Sequence, residues 1–172
     1  MPFYKQDFII KRGMSGGAIF SRDYLFRYFL WRKIEAGISL FDEKLKGICT
    51  WIMLNPSTAN ENILDPTLKR VRQNSFNLGY RYFTVVNLFA YRTSHPQDLE
   101  DVANKGWDDT NIEFIDYTIR NSDKVFVGWG SFSKKKLFWQ PEIISNFLSK
   151  YEKPAYCINF NSDGSPSHPL YQ

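Results

Sequence analysis

The stretch Ile48-Cys49-Thr50-Trp51-Ile52-Met53-Leu54-Asn55-Pro56-Ser57-Thr58-Ala59 decides the fold. Its first seven residues are large, apolar or β-branched, the composition of a buried strand. Asn55-Pro56-Ser57 then ends that strand abruptly, placing a carboxamide and a rigid turn at one point, with the hydroxyls of Ser57 and Thr58 beside them. In open α/β sheets the carboxyl end of a strand is where ligands sit.

A helix start follows directly: Asp65 as N-cap, Pro66 at the first helical position, Leu68, Val71, Ser75 and Leu78 at helical spacing, and Gly79 as the stop. Tyr82–Leu88 reads as the next strand. A helix is expected over Thr110–Arg120, where Ile112, Ile115 and Ile119 make one stripe. Lys124–Trp129 reads as a third strand, Leu137–Lys150 as a third helix begun or broken near Pro141, and Ala155–Asn159 as a short fourth strand. Strands separated by helices predict an α/β fold with a mostly parallel four-stranded sheet and right-handed crossovers. The whole chain, 1–172, reads as a single domain in which 1–47 is an N-terminal extension. Within that extension the aromatic segment Tyr24–Arg32 fits strand or helix, and its Arg27 and Arg32 could meet phosphate or cap a sheet edge.

Composition removes several classes of function. Hydrophobic content of 43% and aromatic content of 17% exclude a disordered tail. No run approaches the roughly 18–20 apolar residues that a membrane span needs, and Met1-Pro2-Phe3-Tyr4-Lys5 does not open a secretory signal, so a cytoplasmic protein with no membrane partner is expected. Cys49 and Cys157 lie in apolar runs and read as reduced core residues. Neither has a Cys or His at ligand spacing, so no metal, metal cluster or other cofactor is expected. A monomer is the expected state.

The net charge of +4 is unevenly placed. Between Pro66 and Gln97, Lys69, Arg70, Arg72, Arg81 and Arg92 occur without an acidic residue and are interleaved with Phe76, Tyr80, Tyr82, Phe83, Phe89 and Tyr91. Basic groups among rings suit a polyanion with stackable bases, although Lys69, Arg70 and Arg72 read equally as the wet face of a helix. Lys134-Lys135-Lys136 reads as solvated surface.

All carboxyl ends of a parallel sheet point one way. Asn55-Pro56-Ser57, Asn87-Leu88-Phe89, Gly128-Trp129-Gly130-Ser131 and Ser167-His168-Pro169-Leu170 can therefore share one cleft. That set offers two carboxamides, an imidazole, backbone amides and a ring, which suits binding a flat heterocycle and stabilising a leaving anion.

At these residues the chain resembles the uracil-DNA glycosylase superfamily and, more closely, the domain-of-unknown-function family numbered 1643. Met53-Leu54-Asn55-Pro56-Ser57 stands where the superfamily has Gly-x-Asn-Pro or Gly-x-Asp-Pro, without the Gly. Val86-Asn87-Leu88-Phe89-Ala90-Tyr91-Arg92 with Pro96 is similar to the later strand that ends in Asn. Asn121–Gly130 is similar to the helix-end, strand and Gly-x element, and Ser167-His168-Pro169-Leu170-Tyr171 to the closing His-Pro motif. The resemblance runs from about Ile48 to the end. It implies a three-layer αβα sandwich like that of uracil-DNA glycosylases, DNA as the partner, and a monofunctional DNA glycosylase that turns a nucleotide out of the stack. By resemblance His168 holds the departing pyrimidine carbonyl, Asn87 pairs with the base edge, Asn55 holds the attacking water, and Phe89 or Trp129 stacks on the base. Thr58, Arg92, Ser131 and Ser167 are the implied phosphate contacts.

Three departures refine that expectation. Asn55 orients water but cannot take its proton, and Asp65 is the nearest carboxylate, though capping alone also explains it. Ser57 stands where uracil-specific members carry a bulky Tyr, which leaves room for a C5-modified pyrimidine such as a hypermodified cytosine of phage DNA, with phage defence or base repair as the role. The chain ends soon after His168-Pro169, where Leu170 or Tyr171 either fills the gap left by a flipped base or anchors the tail. Two other classes stay open: a nucleic-acid-binding module with weak catalysis, and an N-glycosidase or transferase acting on free nucleosides or nucleotides.

Overall fold

Strands β1 (Ile9–Gly13), β2 (Gly16–Phe20), β3 (Arg27–Lys33), β4 (Lys46–Met53), β5 (Tyr80–Asn87), β6 (Lys124–Val127) and β7 (Ala155–Tyr156) form one seven-stranded sheet in the order β1-β2-β3-β5-β4-β6-β7. The computed structural model describes residues 8–34, 45–57, 59–60, 62–95, 99, 109–131 and 139–171. Helices α1 (Pro66–Asn77), α2 (Asp109–Asn121) and α3 (Trp139–Lys150) lie among them, with a 3-10 turn at Pro169–Tyr171. No helix of the described residues is long and apolar enough to cross a membrane.

The sheet corrects the four-stranded expectation. The four strands read from the sequence are present and pair in parallel as β5-β4-β6-β7. Three more, β1 to β3, come from the N-terminal extension and run antiparallel, with Leu30 opposite Val85 and Arg32 opposite Phe83 where β3 joins β5. Without β3 the apolar strand β5 would present an open edge, which folded proteins avoid. That pairing makes Tyr24–Arg32 mostly strand, a choice its local composition left open.

Period-two alternation along β4 and β5 assigns the two faces. Cys49, Trp51, Met53, Phe83 and Val85 point to the face that buries Leu68 and Val71 of α1. Ile52 and Val86 point to the other face, against Ile115 and Ile119 of α2 and Ile144 of α3. Trp51 stacks on Phe126 at 4.7 Å between ring centres, and its Nε1–H donates to Ser75 Oγ at 3.0 Å. Both cysteines are free, and burial pushes the Cys49 thiol up to about 11, so it remains protonated.

The start of α1 follows its sequence signature. Asp65 Oδ1 accepts the Leu68 N–H at 2.8 Å, with Pro66 at the first helical position. Such a cap is worth about 1 kcal/mol. The left-handed turn after the helix falls to Gly79, at φ 85°. Leu78 is the C-cap and is exposed, so the buried stripe of α1 is Leu68, Val71 and Ser75.

Candidate active site

The carboxyl ends of β4 and β5 lie side by side, with Met53 opposite Asn87. The chain stays zipped past the strand ends, because the Leu88 and Phe89 amides donate to the Met53 and Leu54 carbonyls at 2.9 Å each. On the other side of β4, the Gly128 amide donates to the Ile52 carbonyl at 2.9 Å. A cavity of about 410 Å³ opens at this rim, within the range of small-molecule sites. Asn55, Asn87 and His168, separated by up to 113 positions in the chain, all line it, together with Ser57, Asp65, Trp129 and Ser131.

Each polar side chain is held in one orientation. Asn55 Nδ2 donates to the carbonyls of Pro56 at 3.1 Å and Thr93 at 2.7 Å. Two carbonyl acceptors can be met only by the NH₂ end, so Oδ1 is left as an acceptor without a partner among the described residues. Asn87, 1% exposed, accepts a long 3.5 Å bond at Oδ1 from Arg27 Nη2, which orients its NH₂ end as the donor for a ligand. Asn111 of α2 secures the backbone there, its Nδ2 donating to the carbonyls of Asn87 at 3.0 Å and Leu88 at 3.1 Å.

His168 arrives from the opposite end of the chain on a tail seated by two glycines. The Gly130 amide donates to the Pro166 carbonyl and the Ser167 amide to the Asn159 carbonyl, at 2.9 and 2.8 Å. A Cβ on Gly128 would lie 2.9 Å from Pro169 Cδ, too close for a rigid ring, and Gly130 has φ +80°. The Leu170 amide donates to His168 Nδ1 at 3.4 Å, so the proton of the neutral ring belongs on Nε2. Burial lowers the His168 pKa from its ordinary value, and the charge of Asp65 acts in the opposite direction. The imidazole is therefore a neutral N–H donor at neutral pH.

Asp65 is both cap and cavity wall. Its Oδ1 is engaged by Leu68, which leaves Oδ2 for the cavity. Ser57 Oγ lies 3.1 Å from Ser94 Oγ, and Ser131 Oγ accepts from Asn161 Nδ2 at 3.1 Å within the tail loop.

Other expected positions are not cavity walls. Phe89 is fully buried in the core cluster that holds Ile115 and Ile119 of α2, so it cannot stack on a ligand, whereas Trp129 and Tyr171 are aromatic rings that line the cavity. Ser167 is buried with its hydroxyl donating to Asn161 Oδ1 at 2.8 Å, which withdraws it from phosphate contact. Arg92 lies over the Phe20 ring at 5.1 Å and its Nη1 donates to the Tyr24 carbonyl at 3.0 Å, outside the cavity wall. Thr58, Pro96 and Lys134-Lys135-Lys136 fall outside the described residues. Asn111, and Thr67 in the cavity wall, carried no local signal in the sequence, and the buried Arg27, also in that wall, carried an ambiguous one.

The family model described as "Protein of unknown function (DUF1643)" matches residues 27–170. The chain belongs to this family. The DUF1643 segment opens on Arg27 and contains Asn55, Asn87 and His168, so the polar set of the cavity falls inside it. No curated protein and no solved structure matches the chain.

Proposed function

We propose that this cleft hydrolyses the N-glycosidic bond of a pyrimidine turned out of DNA, leaving an abasic site, in the manner of the uracil-DNA glycosylase superfamily that the sequence resembles. One observation carries the reading: Asn55, Asn87 and His168 converge on one cavity at the carboxyl rim of the parallel strands. Breaking the bond leaves negative charge on the base, and donors already aimed at that charge lower the barrier without reorganising. The Nε2–H of His168 and the NH₂ of Asn87 are such donors. Asn55 Oδ1 accepts a hydrogen bond from the attacking water and aligns it, and the Oδ2 of Asp65 takes the proton that a carboxamide cannot. Trp129 supplies the stacking face.

Ser57 at the wall leaves space beside the base, which favours a C5-modified pyrimidine, such as a hypermodified cytosine of phage DNA, over plain uracil. Phage defence or modified-base repair is then the biological role. The exposed Lys69, Arg70 and Arg72 on α1 offer charge for the duplex backbone. The test is to incubate duplexes containing uracil, thymine, hydroxymethylcytosine or glucosylated hydroxymethylcytosine with the protein and probe for abasic sites. Cleavage of a bulky C5-modified duplex is expected, and cleavage confined to plain uracil would defeat the pocket argument. Asn55 in place of a carboxylate favours a second reading, a binding module with weak hydrolysis, which tight duplex binding without abasic sites would support.

A further inference from the structure

Arg27 brings a charge to the cleft that the reaction above does not use. It opens β3, is 2% exposed and lines the cavity. Nη1 donates to the Ala59 carbonyl at 3.0 Å and Nη2 to Asn87 Oδ1 at 3.5 Å, while Nε has no partner among the described residues. No carboxylate lies within ion-pair distance of it among the described residues. Arg32, on the same strand, shows the contrasting case. It donates to the carbonyls of Gly17, Trp31 and Asn60 and is no part of the cavity wall. A buried cation with no carboxylate in contact, and Asp65 acting on it only at longer range, is costly to keep, and groups held in such surroundings concentrate at functional sites.

We propose that Arg27 is a positioning residue that makes the cleft favour the departing base as an anion, an inference that rests on the glycosylase reading. Through Oδ1 it turns the Asn87 carboxamide so that the NH₂ end meets the ligand, and its positive charge strengthens that donor. In the reaction the bond between the sugar C1′ and the base nitrogen breaks, and its electron pair leaves on the base, spread over the ring carbonyls. The water oxygen bonds to C1′ and its proton passes to Asp65. The base anion takes a proton from solvent as it departs and Asp65 returns its own proton to solvent, so one water is consumed and no oxidant or reductant is needed.

The charged and titratable groups around Arg27 are Asp65 at the start of α1, Arg92 and Arg32, with His168 across the cavity. Burial lowers the guanidinium to about 9, so it remains cationic at neutral pH. The experiment is titration calorimetry of the full chain with free uracil, whose ring N–H ionises in mildly alkaline solution, and with free cytosine, whose ring N–H does not. If the anion is the bound form, affinity for uracil rises about tenfold per pH unit between about pH 6.5 and about 8, and affinity for cytosine does not change. Arg27→Lys keeps the uracil slope. Arg27→Gln flattens it and lowers kcat with KM little changed.

A flat uracil slope in the wild type, or an unaltered slope in folded Arg27→Gln, overturns the role of Arg27 and leaves the glycosylase reading standing. Absence of uracil binding despite abasic-site formation does the same. Absence of both overturns the two together. If Arg27→Gln does not fold, Arg27→Met, which keeps the aliphatic stem without the charge, takes its place: a flattened slope is expected, and an unaltered one overturns the role.

Discussion

Replacing His168 with alanine separates a chemical role from a structural one. The side chain is half-buried, and its one hydrogen bond among the described residues, from the Leu170 amide to Nδ1, is long at 3.4 Å. Losing that bond changes global stability by no more than about 1 kcal/mol. Losing the Nε2–H removes a donor aimed at developing charge, which slows the chemical step about 100- to 1000-fold, or about 3–4 kcal/mol. The assay is a single-turnover rate on a C5-modified duplex at saturating protein, with thermal melting of the same samples.

The pH profile supplies an independent arm. Because the folded pKa of His168 is lowered by burial, the wild-type rate is level above the ordinary histidine value of about 6.5. It falls only as pH drops through the lower folded value, where a proton on Nδ1 would face the Leu170 N–H. The linked stability has the same sign: it is fully present above the unfolded pKa and is lost as pH falls through the folded one. An alanine variant within about threefold of wild type, far short of the loss expected for a removed donor, would refute the assignment. So would a rate that climbs as pH falls, which would make the imidazolium the active form.

Three further outcomes follow from the same geometry. Asp65→Asn keeps the α1 cap and therefore melts near wild type, whereas Asp65→Ala loses about 1 kcal/mol; equal slowing of turnover in both variants marks proton transfer rather than capping as the carboxylate's contribution. Gly128→Ala places a methyl 2.9 Å from Pro169 Cδ and displaces the His168 tail, which costs about 1–3 kcal/mol of stability and about 100-fold in rate if the imidazole shifts by about 1 Å; a wild-type rate would show that the tail is not seated there. Neutralising Lys69, Arg70 and Arg72 together lowers the salt slope of duplex binding by about 2–3, measured by fluorescence anisotropy, and an unchanged slope places the duplex elsewhere.

What was legible in the sequence was local. Asp65-Pro66 announced a helix because capping is a short-range hydrogen bond, and Asn55-Pro56 announced a strand end because the turn interrupts an apolar run. The four parallel strands followed from alternation with helices. The antiparallel extension did not, because whether Tyr24–Arg32 is strand depends on the edge of β5, which no neighbouring residue encodes. Phe89 and Trp129 were equivalent as rings in sequence. Only packing separates them, since Phe89 goes under α2 while Trp129 lies between two glycines that seat the tail. Asn111 was illegible as a site residue, and Arg27 was legible only as a phosphate contact or an edge cap, for the same reason: each acts on Asn87 from a distant segment of chain.

Release of the free base is the most direct measurement of what this cavity does. Mass spectrometry of the small-molecule fraction, after incubating a C5-modified duplex with wild type, Asn55→Ala and His168→Ala, should show the intact modified base accumulating in step with abasic sites for wild type and strongly reduced for both variants. No released base from any duplex, or equal release by all three proteins, would contradict the assignment of this cavity as a glycosylase site.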